Sequence, residues 1–594
     1  MNFKKFKHDL QKENLVIPSM SNKVKNYSKQ EKVYYQKEVK ERKTIFPLFK
    51  YATVLVPILI MLLVVTIISV SSNPNNYKYE LYSVQDNLDL KKILSVNNEF
   101  NINIPGFGGF FNKGDIMVED AVGPTGSASP DVDYDDFDEP NNSTDDTNNS
   151  PDYSETNKQE KNVDEADIVK TDGYNIYYLN YNKQKLFKYN VAKQTLEYID
   201  LYITGEPITT TAQLYIINDY LVMLKEHYSY KQSYQYKVSV VIYNKETLEL
   251  EKEYTGIGRY VDSRITNNTL YLVYNQRNVQ DVPYDIIDSE TNTYEYNDIK
   301  YSPAAINQGY TFVVAMDLKT LETNVHVQLG ANSWEAVYMT ENSLYLAASN
   351  YCSQLAKYTL IGARFTASSY QTNIFRFDLD GIKVEYSGMV ITSGKINDQF
   401  YLDEYDGHLR VVLQQQNTIE TGNNKLEVYD LSKYQEPGIY DKVASIDEGI
   451  GKPGEQIKSV RFSDNSCLIV TFLQTDPLYY IDLSNQLKPQ IIGGYEEPGY
   501  NTYLHYINEN LAIGFGVCGN SFINANDKIV MENHKVGLYD ISTGTPNKLD
   551  ENTQYAYITV VSNHKALYIE GEVFGFAGSY QCYSYNEVGQ FVKM

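Results

Sequence analysis

From residue 162 onward, short runs of alternating apolar and polar residues are separated by turn-forming pairs, the period-two signature of half-buried β-strands. The stretch Asn162–Gly173 (NVDEADIVKTDG) opens the pattern. Val163 to Thr171 reads as a strand, Asp172-Gly173 as a hairpin turn, and NIYYL (175–179) as the answering strand. Eight copies share one scheme: an alternating strand, a polar turn, a Leu-Tyr-Leu-like strand, and a third strand ending in a Tyr-Asp-Leu-like phrase. The turns are Asp172-Gly173, Asn218-Asp219, Asn267-Asn268, Glu341-Asn342, Asp406-Gly407, Asp464-Asn465, Asn508-Glu509 and Asn563-His564, spaced 44 to 74 residues apart. That period, with three or four strands per unit, predicts an all-β fold: a single β-propeller of eight blades, or seven if the first and last units close one blade together. The longer spacings mark insertions, chiefly Gln276 to Gly309 and Tyr351 to Gln371.

The first 161 residues read differently. Tyr51 to Val70 carries no charge over twenty residues, enough for one transmembrane helix; Pro57 can kink it without disqualifying it. A cleaved signal peptide fits less well, because the preceding segment is too long and the apolar run too extended. Residues 1–50 carry +8, with a helix expected from about Asn22 to Lys43, and this positive flank places the N-terminus in the cytoplasm and the rest outside. Residues 71–100 form a juxtamembrane segment with a short helix over Ser83–Val96. Residues 101–161, Gly-rich and then acidic, compose a disordered linker, and 162–594 the propeller ectodomain. Asp131, Asp133 and Asp135 imitate the start of a calcium loop, but Asp136 and Asn142 occupy positions that need Gly and Glu. Only unspecific divalent-cation binding is expected there, and no cofactor is identified.

Charge narrows the partners. Residues 51–594 carry −32, a poor match to phosphate backbones, so no nucleic-acid partner is expected. Cys352, Cys467, Cys518 and Cys582 have no metal spacing; a disulfide between two of them and buried thiols in strands both remain open. The 56 tyrosines suit half-exposed strands, with a tyrosine-lined sugar site as the alternative.

In a propeller the first strand of each unit lines the central channel. Counting back three residues from each turn gives Val169, Tyr215, Arg264, Tyr338, Asp403, Arg461, His505 and Val560. Two residues earlier, on the same face, lie Asp167 and Asp262 among others. Asp167, Asp262, Arg264, Asp403, Arg461 and His505 therefore converge on one axis as the candidate ligand-binding set. Two readings follow: the charges pair with one another, or the arginines hold an anionic group and the carboxylates a cation.

The phrases VDEADIVKTDG, VDSRI (Val261–Ile265), NDQFYLDEYDGHLRVV (Asn397–Val412), PGEQIKSVRF (Pro453–Phe462), VTFLQTDPLYYIDLS (Val470–Ser484) and TYLHYINENLAIGFG (Thr502–Gly516) resemble an uncharacterised prokaryotic family of membrane-anchored or secreted proteins with a C-terminal β-propeller domain. The resemblance implies fold and topology, and brings neither activity nor ligand. After Leu413 the sequence departs from it, with Gln414-Gln-Gln-Asn417 in place of small residues. The layout of basic tail, membrane helix and outer domain is also similar to that of transmembrane anti-sigma regulators.

No phosphate loop, nucleophile elbow or HExxH spacing is present, and adjacent carboxylates such as Asp403-Glu404 point to opposite faces of a strand. The expected function is a single-pass membrane protein displaying a non-catalytic propeller that binds an envelope ligand, ion or protein. A signal transducer with a cytoplasmic regulator at residues 1–50 is the second expectation. An extracellular hydrolase or lyase working in the channel is the third.

Overall fold

Turn chemistry sets the strand pattern. Asp172 Oδ1 accepts from the amides of Tyr174 (3.0 Å) and Asn175 (2.7 Å), and Gly173 takes φ 84°. The pairs Asn267-Asn268 (φ 50° and 61°) and Asp406-Gly407 (φ 48° and 71°) adopt the left-handed conformation that tight hairpins require.

The computed structural model describes residues 80–99, 156–180, 183–200, 208–229, 235–277, 281–302, 309–330, 336–352, 369–415, 423–472, 476–518, 521–523, 529–531, 533–554, 558–570, 573–576, 583–586 and 590–593. The basic segment 1–50, the apolar run 51–70 and linker residues 101–155 lie outside them. Among the described residues, no helix is long and apolar enough to cross a membrane.

The described strands fall into successive antiparallel meanders of four, spanning 169–200, 208–257, 259–329, 336–393, 402–450, 456–497, 499–554 and 567–593. A single parallel pairing, Met389 with Ile439, joins the fourth to the fifth. Apolar clusters lie between consecutive meanders: Tyr177, Leu179 and Leu186 of the first pack on Leu214, Leu221 and Met223 of the second. Further clusters continue this face-to-face packing to the eighth. Each fully buried aliphatic side chain contributes roughly 1.5–3 kcal/mol.

Many tyrosines are core residues, while others, such as Tyr178 and Tyr198 on their strands, stay half-exposed. Tyr177, Tyr215, Tyr254, Tyr274, Tyr310 and Tyr338 are among the largest fully buried side chains, because partners wait for their hydroxyls. Tyr215 meets Ser263 Oγ at 3.0 Å, and Tyr254 meets Tyr274 at 3.0 Å and Asp285 at 3.1 Å.

The insertion after Gln276 builds outer edges. Its hairpin, Tyr284–Ile287 with Glu290–Thr293, extends the second meander. Ile299–Tyr301 then runs parallel to the outer strand of the third and pairs with Tyr82–Ser83. The helix observed is Asn87–Glu99, three to four residues later than the sequence pattern suggests, because Ser83 is committed to that pairing. Leu90, Ile93 and Leu94 join the core of the second and third meanders. The helix is part of the domain.

Two further elements differ from expectation. Of the predicted strand 163–171 only Val169–Thr171 is a strand; the residues before it cross the channel. The 3-10 turn Thr559–Val561 replaces the predicted innermost strand before the eighth turn, and a second, His564–Ala566, follows from that turn.

Candidate functional site

First strands of the meanders stand side by side around one axis. A cavity of about 360 Å³ opens where they begin, lined by residues of the third, fourth, sixth and seventh meanders, by the 3-10 turn Gln399–Tyr401, and by Val560–Ser562 and His564. A second cavity of about 850 Å³ opens at the hairpin-turn end, reaching Asn267, Glu341 and Tyr568. Residues 156–168 lie between the two ends. Asn157 Nδ2 donates to Tyr503 Oη and to the His564 carbonyl, both at 2.9 Å. Gln159 Nε2 donates to the carbonyls of Gln399 and Leu402, both at 3.1 Å.

Glu165 anchors this crossing. It is 1% exposed, with His564 Nε2 at 2.9 Å, Lys565 Nζ at 3.6 Å and Arg264 Nη2 at 4.0 Å. Burial alone would raise its pKa, but Arg264, His564 and Lys565 together more than offset that and hold it well below the usual carboxylate range. Glu160 differs in kind. Its Oε1 accepts from Tyr338 Oη at 2.9 Å, and burial, followed by the neighbouring Asp403, lifts its pKa to about 7.

The six residues expected on the axis have separate fates. Arg264 is spent on its neighbours: Nη1 on Asp262 (2.5 Å) and the Ser263 carbonyl (2.6 Å), Nη2 on Gln399 (2.6 Å). Asp403 faces Arg410 rather than Arg461; Arg410 donates to its Oδ2 through Nε at 2.6 Å and through Nη2. Arg461 lies over the Phe400 ring at 5.1 Å, and its buried Nη1 has no hydrogen-bond partner. His505 Nδ1 stands 3.4 Å from Tyr503 Oη, and burial, then Arg461 and His564, press its pKa down to about 3, so it is neutral. Asp167 pairs through its backbone with Leu214, and burial raises its carboxyl. The structure thus joins Asp262 to Arg264 and sets Asp403, Arg461 and His505 farther round the ring.

Sequence counting missed Glu160, Glu165, Asp398, Arg410 and His564. Arg410 follows a turn instead of preceding one. Glu165 sits in a stretch whose alternation imitates a strand, and only its place in a polar opening phrase marked it. Asp398 lines the smaller cavity and caps Phe400 through Oδ1 at 2.9 Å. Although solvent reaches it, protein walls surround it, and this desolvation lifts its pKa to about 6. Among the described residues it has no cationic partner. Those residues also hold no group of three or more His, Cys, Asp and Glu placed to bind a metal ion. Cys467 and Cys518 are free and buried.

Comparison with known proteins places these observations in a wider group. The family model described as "Beta propeller domain" matches residues 153–583. An uncharacterized protein of Archaeoglobus fulgidus is 28% identical over 502 residues, covering 71% of this chain and 74% of its own length. An uncharacterized protein of Methanocaldococcus jannaschii is 28% identical over 435 residues, covering 61% and 65%. Among solved structures, the acylaminoacyl peptidase of Pyrococcus horikoshii aligns over 71% of this chain and 58% of its own at 10% identity. Its TM-score of 0.27 is too low to carry an argument.

Proposed function

The chain belongs to the beta propeller domain family, and from that premise we propose that it is a non-catalytic binding module displayed outside the cell on one membrane helix. In this reading the eight meanders are eight blades, and the apolar run 51–70 with its basic N-terminal flank supplies the anchor. The ligand enters the 360 Å³ cavity, a volume within the range of small-molecule sites, about 300–1,000 Å³.

One observation carries the reading: Asp398, an accessible carboxylate without a cationic partner among the described residues, shares that cavity with the Phe400 ring. Ser459, Thr502 and Ser562 line the same space. The lining suits a small envelope-derived ligand that donates hydrogen bonds to a carboxylate and lays an apolar face on a phenyl ring, as an amino sugar does. The absence of turnover is part of the proposal. Asp262 and Asp403, the two carboxylates expected on the axis that pair with arginines, are held by Arg264 and Arg410 and so are poor proton-exchanging groups.

Isothermal titration of the full-length protein in detergent with glucosamine and N-acetylglucosamine tests this. Saturable binding that Asp398→Asn and Phe400→Ala each weaken at least tenfold is the expected result. Binding of neither sugar, or binding indifferent to both substitutions, overturns it.

A second reading, a transmembrane sensor, is favoured by a specific overlap. Gln399, Tyr503 and His564 line the ligand cavity and also hold residues 157–165, the stretch leading back toward the anchor. Occupancy of the cavity would then alter the hold on that stretch. A pull-down with residues 1–50 at moderate salt that recovers one stoichiometric regulator supports it, and salt-sensitive background alone removes it.

A further inference from the structure

Residues 157–168 are held as a peptide ligand is held. Two isolated backbone bridges, Asp164 with Ile265 and Asp167 with Leu214, pair the segment with neighbouring first strands, and no continuous ladder forms. Several of its side chains make polar contacts: Asn157 on Tyr503, Gln159 on the Gln399 carbonyl, Glu160 on Tyr338. The deepest contact reads charge. Arg264 of the third meander and His564 and Lys565 before the eighth close on the single carboxylate of Glu165. Cavities of about 360 and 850 Å³ lie near the segment, whose apolar anchoring is confined to two small side chains, Val163 and Ala166, buried in the neighbouring clusters.

We infer that the channel is a binding site for an extended acidic peptide, filled in cis by the chain's own residues 157–168 and open to the same stretch from a second copy. The chemistry of recognition is a pocket of Arg264, Lys565 and His564 around one carboxylate, two short β-pairings, and carbonyl acceptors for amide side chains. A second copy fits because it offers the identical pattern. The 56 residues between Glu99 and Thr156 are long enough for exchange between neighbours, the condition for swapping an element. A linker of that length also sets a finite effective concentration for the cis segment, which a trans segment can match at high local density. The inference stands whatever the smaller cavity binds.

The experiment uses the full-length protein in detergent and a fluorescein-labelled peptide of residues 155–169, read by anisotropy. Glu165→Lys sets a cation against Arg264, His564 and Lys565 and so empties the channel in cis. The variant is expected to bind the peptide at least tenfold more tightly than the wild type does. A peptide carrying Gln at position 165 should bind at least tenfold more weakly than the native peptide. A folded Glu165→Lys variant without saturable binding overturns the inference, as does equal binding of both peptides. If that variant fails to fold, hydrogen exchange on the wild type decides. Amides of Asp164 and Asp167 exchanging at least a hundredfold faster than those of Leu270 and Leu272 support an exchangeable occupant. Exchange at the same rate makes the segment a fixed part of the fold and overturns it.

Discussion

Glu165 and His564 lie 399 positions apart in the chain and 2.9 Å apart in the channel, Oε2 of the one facing Nε2 of the other. Lys565 adds a contact of its Nζ to the Ala166 carbonyl at 2.8 Å. These contacts link the two ends of the ring. Ile176, Tyr178, Leu196 and Tyr198 of the first meander are 38 to 59% exposed, and among the described residues no apolar cluster joins the first and eighth meanders. The remaining junctions are apolar, whereas closure is ionic.

Replacing Glu165 with Gln therefore leaves Arg264, His564 and Lys565 around a neutral group. A loss of about 3 kcal/mol is expected, typical of breaking a buried pair, seen as a lower midpoint in urea. Because the folded pKa is depressed, this stabilisation is present above the unfolded value of 4.5 and is lost as pH falls below it. Wild type and variant should converge in acid.

Glu160 has the opposite sign. Its folded pKa of about 7 exceeds the unfolded 4.5, so its contribution is fully present below pH 4.5 and disappears as pH rises through 7. The shift corresponds to about 3 kcal/mol at most. Hydrogen exchange of the Val163 amide should accelerate between pH 6 and 8 beyond the intrinsic chemical rate. Glu160→Gln, which still accepts from Tyr338, should abolish that excess.

Gly516 should not tolerate a methyl group. A Cβ there would stand 1.9 Å from the Tyr500 carbonyl oxygen and 2.6 Å from Asn501 Cα, beside the irregularity between Asn501 and Tyr503 that aims Thr502 and Tyr503 at the cavity. Backbone meets backbone, so no side chain can yield. Gly516→Ala is expected to cost about 3 kcal/mol or more, and to weaken any ligand of the cavity, measured by thermal denaturation and titration.

Leu90, 1% exposed, anchors the helix Asn87–Glu99 in the core of the second and third meanders. Leu90→Ala should cost about 2–4 kcal/mol. A propeller fragment beginning at residue 100 should melt below one beginning at residue 78. Equal melting temperatures would show that the helix adds nothing to the domain.

Much of this was legible in the sequence, for a local reason. Alternation and turn pairs depend on residues a few positions apart, so strands such as Asn175–Asn180 and turns such as Asp172-Gly173 and Asp406-Gly407 stand where the pattern puts them. The same counting singled out Arg264, Asp403, Arg461 and His505, none of which lines either cavity. It missed their partners. Arg410 reaches Asp403 across a hairpin, His564 reaches Glu165 around the whole ring, and Arg264 finds Gln399 from another meander. Period-two alternation is blind to whether a segment lies in a sheet or crosses an axis, so residues 163–168 looked like the strand that starts only at Val169. The sequence by itself determined the repeat and the turns, because short-range sterics and burial period specify them. Only the tertiary structure decided which charges meet and which segment fills the channel, because those contacts depend on closing a ring over hundreds of residues.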